Sequence, residues 1–360
     1  MQRKIKKIKF NGQPIYIGID VHLKSWRVTI MSEQNEHKTF SQDPRTSILV
    51  NYLHTHFPGA VYHAVYEAGF SGFTLYRELT AAGVECMVAH PADVPTTHKE
   101  YDQKCDKRDS RKLAKSLRGN MLQAIYVPSE QQLADRSLVR LRASLVKDFT
   151  RIKLRLKSLL MFHGVLLPAS LPVQSSRRWS PPYMRWLGSL QVDEPGLQAT
   201  ISGLVATGQL LNEQLLAVTK QIHTLAQSPG YIEQVNLLVG IPGIGRLTAM
   251  SLLTELGDTS RFKRLDELCN YIGLVPSMRG SGDKEAVGSL TIRGRGPLKA
   301  ALIESAWVAV RKDAALMAKF EQLSTRMQKN KAIIRITRKL LSRIRYVLLH
   351  RQAYVCGVVA

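Results

Sequence analysis

Apolar and polar positions set out the first elements of the chain. Residues 15–20 and 26–31 ("WRVTIM") have the β-branched and aromatic character of strands, and the short "VHLKS" between them predicts a hairpin-type connection. A third strand is expected near 37–41, then a helix over about 44–57 and a strand around 60–66 in "AVYHAVYEA". A helix over "SGFTLYRELTAAG" and a strand at "VECMVAH", 84–90, complete the pattern. Three strands followed by alternating helix and strand predict a mixed α/β sheet domain.

After "VPSEQQ" the period changes. From 129 to 163 apolar residues recur at helical spacing (Leu133, Leu138, Leu141, Leu145, Phe149, Ile152, Leu156, Leu159) among many Arg and Lys, which predicts a long basic amphipathic helix. A Pro, Ser and Arg-rich break, "LPASLPVQSSRRWSPPYMRW", precedes a second long helix over about 195–228. Two such helices form either an antiparallel hairpin or a coiled-coil dimer element, and a spacer or oligomerisation arm is the preferred role. From 231 the pattern is compact and helical, with a Gly-rich interruption at 279–296 and a basic, apolar helix over 331–351. The expected class is α/β plus all-α, in three parts: 1–127, a helical region 128–230, and 231–360.

Charge narrows the partners. Fifty-one Lys and Arg against 28 Asp and Glu leave a formal +23, a field that draws polyanions, of which nucleic acid is the commonest. No run of about 18 apolar residues is present, so no membrane partner is expected. "MQRKIKKIKF" lacks the apolar core of a secretory signal, and a cytoplasmic place, prokaryotic cytosol or nucleoid, is expected. Cys86, Cys105, Cys269 and Cys356 form no CxxC pair and read as reduced thiols.

Four acids stand out by position. Asp20 ends the first strand and Glu67 ends "VYHAVYE", while Asp106 and Asp109, in "KCDKRDSRKLAKSLR", are spaced to share one helix face. Such carboxylates suit a hard divalent cation, magnesium with manganese as a substitute, and metal-assisted phosphoryl transfer is the chemistry that needs it. Each acid alone also fits a structural role at a strand end or helix start, and Asp102 competes for the third place.

Two glycine-containing stretches point the same way. "LLVGIPGIGRLTAMSLLTELG" reads as helix, tight turn, helix, with Gly243 and Gly245 permitting positive φ and Arg246 just beyond; such a turn presents N–H groups to a nucleic-acid phosphate. An ordinary turn between packed helices fits equally. In 273–307, Arg279, Lys284, Arg293, Arg295 and Lys299 surround a Gly-rich loop in which Ser281 lies between Gly280 and Gly282. An open serine among cations suits a phosphoserine-forming nucleophile, although most Gly-Ser-Gly stretches are only flexible loops.

"YIGIDVH", the "YEA" with Glu67, "KCDKRDSRKLA", "GIPGIG" and "SGDKEAVGSLTIRGRGPLKAALIESAW" together resemble the DEDD-type insertion-sequence transposases, the bridge-RNA-guided recombinases that include Piv-type DNA invertases. The resemblance covers roughly 15–120 and 236–312. It implies an RNase H or RuvC-like first domain with Asp20, Glu67, Asp106 and Asp109 as its metal-binding quartet. It also implies a C-terminal transposase domain with Ser281 as the residue joined to DNA; beside it, the long helices read as a coiled-coil middle and the Gly243 turn as a helix-hairpin-helix. The implied partners are donor and target DNA, a structured noncoding bridge RNA, and further copies of the chain, as dimers assembling to tetramers. Cys105 replaces the family's threonine and Gly280 a common serine, leaving Ser277 and Ser289 as weaker nucleophile candidates. Two alternatives remain: a RuvC-like junction-resolving endonuclease using metal-activated water, and a non-catalytic nucleic-acid-binding scaffold.

Overall fold

The computed structural model describes residues 10–95, 106–169, 171, 179–281, 284–291 and 294–357. Asp102, Cys105, Gly282 and Arg293 lie outside them, as do the side chains of Asp106, Arg279, Ser281 and Lys284. Chain contacts divide the protein into two units, up to Val127 and from Pro128 onward.

The first unit is built on a five-stranded sheet. Its strands are β1 (Pro14–Val21), β2 (Trp26–Ser32), β3 (Glu36–Gln42), β4 (Val61–Glu67) and β5 (Glu85–Ala89), in spatial order β3-β2-β1-β4-β5. β1, β2 and β3 pair antiparallel, whereas β1, β4 and β5 pair parallel, so the sheet is mixed. Period-two alternation separates its faces. Ile15, Ile17 and Ile19, fully buried, pack with Leu49 and Leu53 of α1 (Thr46–His56) and Leu75 and Leu79 of α2 (Thr74–Ala81). Each such side chain contributes about 1.5–3 kcal/mol by leaving water. On the opposite face Val65 and Ala89 meet Leu113 of α3 (Asp106–Arg118).

The second unit opens with α4 (Glu130–Phe162), which Ser129 caps by accepting from Gln132 N at 3.1 Å. The helix α6 (Pro195–Leu225) runs back along it: Arg142 meets Thr219, while Leu156 and Leu160 cluster with Leu197 and Ile201, so the two are antiparallel. Between them the Pro-rich break contains a helix, α5 (Pro181–Ser189), which the sequence pattern passed over; proline at a helix start costs nothing because the first N–H groups have no intrahelical partner. Val139, Leu145, Val218 and Ile222 join the paired helices to one core with α7 (Ile232–Val239), α8 (Arg246–Leu256), α9 (Leu265–Ile272), α10 (Gly296–Ala309), α11 (Ala314–Ser324) and α12 (Lys329–His350).

Much of the Gly-rich interruption is strand among the described residues. Residues Pro276–Ser281 and Lys284–Leu290 form an antiparallel ribbon, β6 and β7, with Ser281 paired to Lys284. Alternation in "PSMRGS" and "KEAVGSL" is weak, and the glycines hid the strands. A Cβ on Gly288 would lie 2.3 Å from Ser277 Oγ, so a side chain there would displace that hydroxyl. Among the described residues no helix is long and apolar enough to cross a membrane.

Candidate active site

β1 and β4 run side by side with Gly18 opposite Val65 and Ile19 opposite Tyr66. Asp20 and Glu67 come at the next step, at the C-terminal ends of these two inner strands, so both acids leave one face of the sheet. α3 covers that face. A Cβ on Gly18 would stand 2.1 Å from the Ser110 carbonyl oxygen and 2.5 Å from Ala114 N, and the Ser110 hydroxyl hydrogen-bonds Thr29 of β2 at 2.9 Å. The helix direction follows from its far end, where Arg118 donates to the carbonyl oxygens of Ser32 (3.2 Å) and Glu33 (3.4 Å), beside the start of β1. Its first turn, with Asp106 and Asp109, therefore lies toward the strand ends that carry Asp20 and Glu67.

Basic side chains lie beside two of the acids. His22 Nε2 is 3.1 Å from Asp20 Oδ2, and Lys112 Nζ is 3.7 Å from Asp109 Oδ1. Arg27 stands directly across from Asp20 in the β1–β2 register; it donates to Ser41 Oγ at 2.6 Å, and its Nε is buried without a hydrogen-bond partner. Oxygen donors at these strand ends have the chemistry a hard divalent ion takes. Among the described residues, however, no group of three or more His, Cys, Asp or Glu side chains is gathered closely enough to hold a metal.

In the second unit Ser281 ends β6, next to the ribbon's tip. Of its rivals, Ser277 donates its hydroxyl to the Ser289 carbonyl oxygen at 3.1 Å. The turn from α7 to α8 uses Gly243 at φ +89°, where a Cβ would lie 2.2 Å from the Ser305 carbonyl oxygen of α10. Gly245 does not share that conformation: at φ −93° it is the extended N-cap of α8, followed by exposed Arg246. Below this turn Glu255 is nearly buried, its side chain 11% exposed, with Arg140 Nε at 2.6 Å and Arg136 and Arg295 each at 3.8 Å. Burial pushes the Glu255 carboxyl up, but the hydrogen-bonded Arg140 and the charges of Arg136 and Arg295 more than offset it and hold it below the usual range.

A family profile described as "Transposase IS116/IS110/IS902 family" matches residues 235–322, and a DEDD transposase profile of IS110 matches residues 17–164. The transposase for insertion sequence element IS1533 of Leptospira borgpetersenii is 30% identical over 250 residues, 68% of this chain and 70% of that protein. The chain belongs to the IS116/IS110/IS902 transposase family. The putative transposase y4qE of Sinorhizobium fredii is 32% identical over 243 residues, 67% of this chain; the match spans 57% of that protein's length. The pilin gene-inverting protein of Moraxella bovis is 31% identical over 136 residues, 35% of this chain and 41% of its own.

In this IS110-type chain the fold brings Asp20, Glu67 and the first turn of α3 to one face of the sheet. Of the cations singled out in the sequence, Arg295 and Lys299 are engaged within the chain. Arg295 lies 5.1 Å from the Tyr271 ring centre and donates to its hydroxyl at 3.3 Å, while Lys299 donates to the Thr291 carbonyl oxygen at 3.3 Å. Sequence reasoning missed Arg27, whose place opposite Asp20 depends on strand register. It also missed Glu255 and the arginines of α4, which meet only through tertiary packing. Counting back from "WRVTIM" across the short hairpin would have found Arg27.

Proposed function

We propose that this transposase-family chain cuts and rejoins DNA of a mobile element, guided by a structured noncoding bridge RNA, through a serine-linked intermediate. Asp20, Glu67, Asp106 and Asp109 are the residues that would hold magnesium, which when bound polarises the scissile phosphate. What supports this is that Asp20 and Glu67 each directly follow the last registered pair of β1 and β4, Ile19 and Tyr66, on the face that α3 covers. The β3-β2-β1-β4-β5 order supports an RNase H or RuvC-like reading of the first unit. The positive-φ Gly243 turn before α8 supports a helix-hairpin-helix that meets phosphate through backbone N–H groups.

In the reaction the Ser281 Oγ–P bond forms as the P–O bond to one neighbouring sugar breaks. The freed sugar hydroxyl takes up the proton the serine gives up. Attack by a second strand's hydroxyl on the serine-linked phosphate reverses both changes and joins the new partner, so no external energy source is consumed. Arg27, across from Asp20, holds positive charge where the phosphate's negative charge would sit. One copy's acids would act with another copy's Ser281, within a dimer assembling to a tetramer.

The test is strand cleavage and joining on donor and target DNA with the element's RNA. Asp20→Asn and Glu67→Gln preserve shape and remove charge, and each is expected to lower the rate by roughly a hundredfold or more while DNA binding stays intact. Wild-type rates in either variant would remove the acids from the chemistry.

A further inference from the structure

A cavity of about 580 Å³ opens in the second unit between α4, α6, α8 and the start of α10. Its floor is apolar, made by Val139 and Ala143 of α4, Ile222 of α6, Leu247 of α8 and Leu298 of α10. Its mouth carries Arg140, Arg142, Lys147 and Arg295 against a single carboxylate, Glu255, which Arg140 and its neighbours already neutralise. Arg142 donates to Thr219 Oγ1 at 3.0 Å, and burial holds its guanidinium below the ordinary range, while Lys147 is exposed. Val146 and Lys147 also border a second groove that continues along α4 past Arg151 and Arg155.

Two simple occupants fit poorly. A free phosphate would leave the apolar floor unfilled, and a duplex backbone is convex and offers its phosphates to surfaces rather than recesses. An apolar floor beneath a cationic mouth matches a nucleotide turned out of its strand, the base on the floor and the phosphate outside among the cations. We infer that this cavity binds one unpaired nucleotide of a DNA or RNA strand, with the adjoining phosphates following Arg151 and Arg155. The inference rests on the reading of the protein as a nucleic-acid enzyme, but on neither the acids nor Ser281.

The experiment measures binding of the full chain to a short single-stranded oligonucleotide carrying 2-aminopurine, in deoxy and ribo forms, and to a DNA duplex of equal length. Ala143→Phe fills the floor without changing charge, Lys147→Gln removes one cation from the mouth, and Lys312→Gln removes an exposed cation that does not line the cavity. Ala143→Phe is expected to weaken single-strand binding roughly tenfold, the scale of losing one buried base, and to leave duplex binding unchanged. Lys147→Gln should weaken single-strand binding more than Lys312→Gln does, and the tighter of the deoxy and ribo forms identifies the strand. Undiminished single-strand binding by Ala143→Phe and Lys147→Gln, or equal loss on duplex and single strand, overturns the inference while the wider reading stands if the wild type binds duplex. A wild-type chain that binds neither overturns both.

Discussion

Gly18 has no side chain, and α3 uses the space: the Ser110 carbonyl oxygen and the Ala114 N occupy the place of a Cβ. Gly18→Ala must therefore push α3 off β1, with an expected loss of about 2–3 kcal/mol, the upper part of the overpacking range. Gly203 on α6 has nothing within 4 Å of its Cβ position, so Gly203→Ala is expected to gain about 0.5–1 kcal/mol from helix propensity. Urea midpoints at unchanged slope check both signs. Thiol chemistry separates at the same scale. Burial pushes the Cys86 thiol up to about 12 and raises Cys269 as well, whereas Cys356 is exposed. Native alkylation should mark Cys356 well before either of them; labelling of Cys86 first would contradict the packing of β5.

The long paired helices, the five strands and the last helix announce themselves through periodicity, because each presents an apolar stripe or an alternating face to a core. The β6–β7 ribbon does not: its glycines carry no pattern, and its pairing is set by contacts across the turn. The acids at the ends of β1 and β4 are legible as residues that terminate apolar runs, but their common face depends on parallel register. Least legible is the tie between α4 and α8, where Arg136 donates to the Thr254 carbonyl oxygen at 2.9 Å and Arg140 holds Glu255. Those guanidinium groups meet the negative end of α8, a pairing the sequence separation conceals. Arg136→Met leaves the Thr254 carbonyl oxygen without its buried donor while Arg140 and Arg295 still flank Glu255, so it is expected to cost about 1–3 kcal/mol. Glu255 shares its depressed pKa with Asp313, where burial is outweighed by hydrogen bonds from Tyr354 and the Leu316 N–H and by the nearby Arg343 charge. Groups depressed on folding contribute full stability above their unfolded values and lose it as pH falls, so the urea midpoint should stay level near neutrality and decline below about pH 4.5. Glu255→Gln should flatten part of that decline.

At the scale of the whole molecule the formal charge of +23 sets the response to salt. Nucleic-acid affinity should fall steeply and log-linearly with salt concentration as counterions are released, and a flat response would deny phosphate a leading part in binding. Charge alone does not separate an enzyme from a scaffold, nor a serine nucleophile from activated water. A covalent link does. The most direct measurement incubates the full chain with the proposed bridge RNA, donor and target DNA and divalent metal, then denatures, digests and maps any nucleotide-bearing peptide by mass spectrometry. The expected result is a phosphodiester-linked nucleotide on the peptide containing Ser281, lost in Ser281→Ala and in Asp20→Asn. Strand cleavage with no protein–DNA adduct, or an adduct that persists in Ser281→Ala, would contradict it.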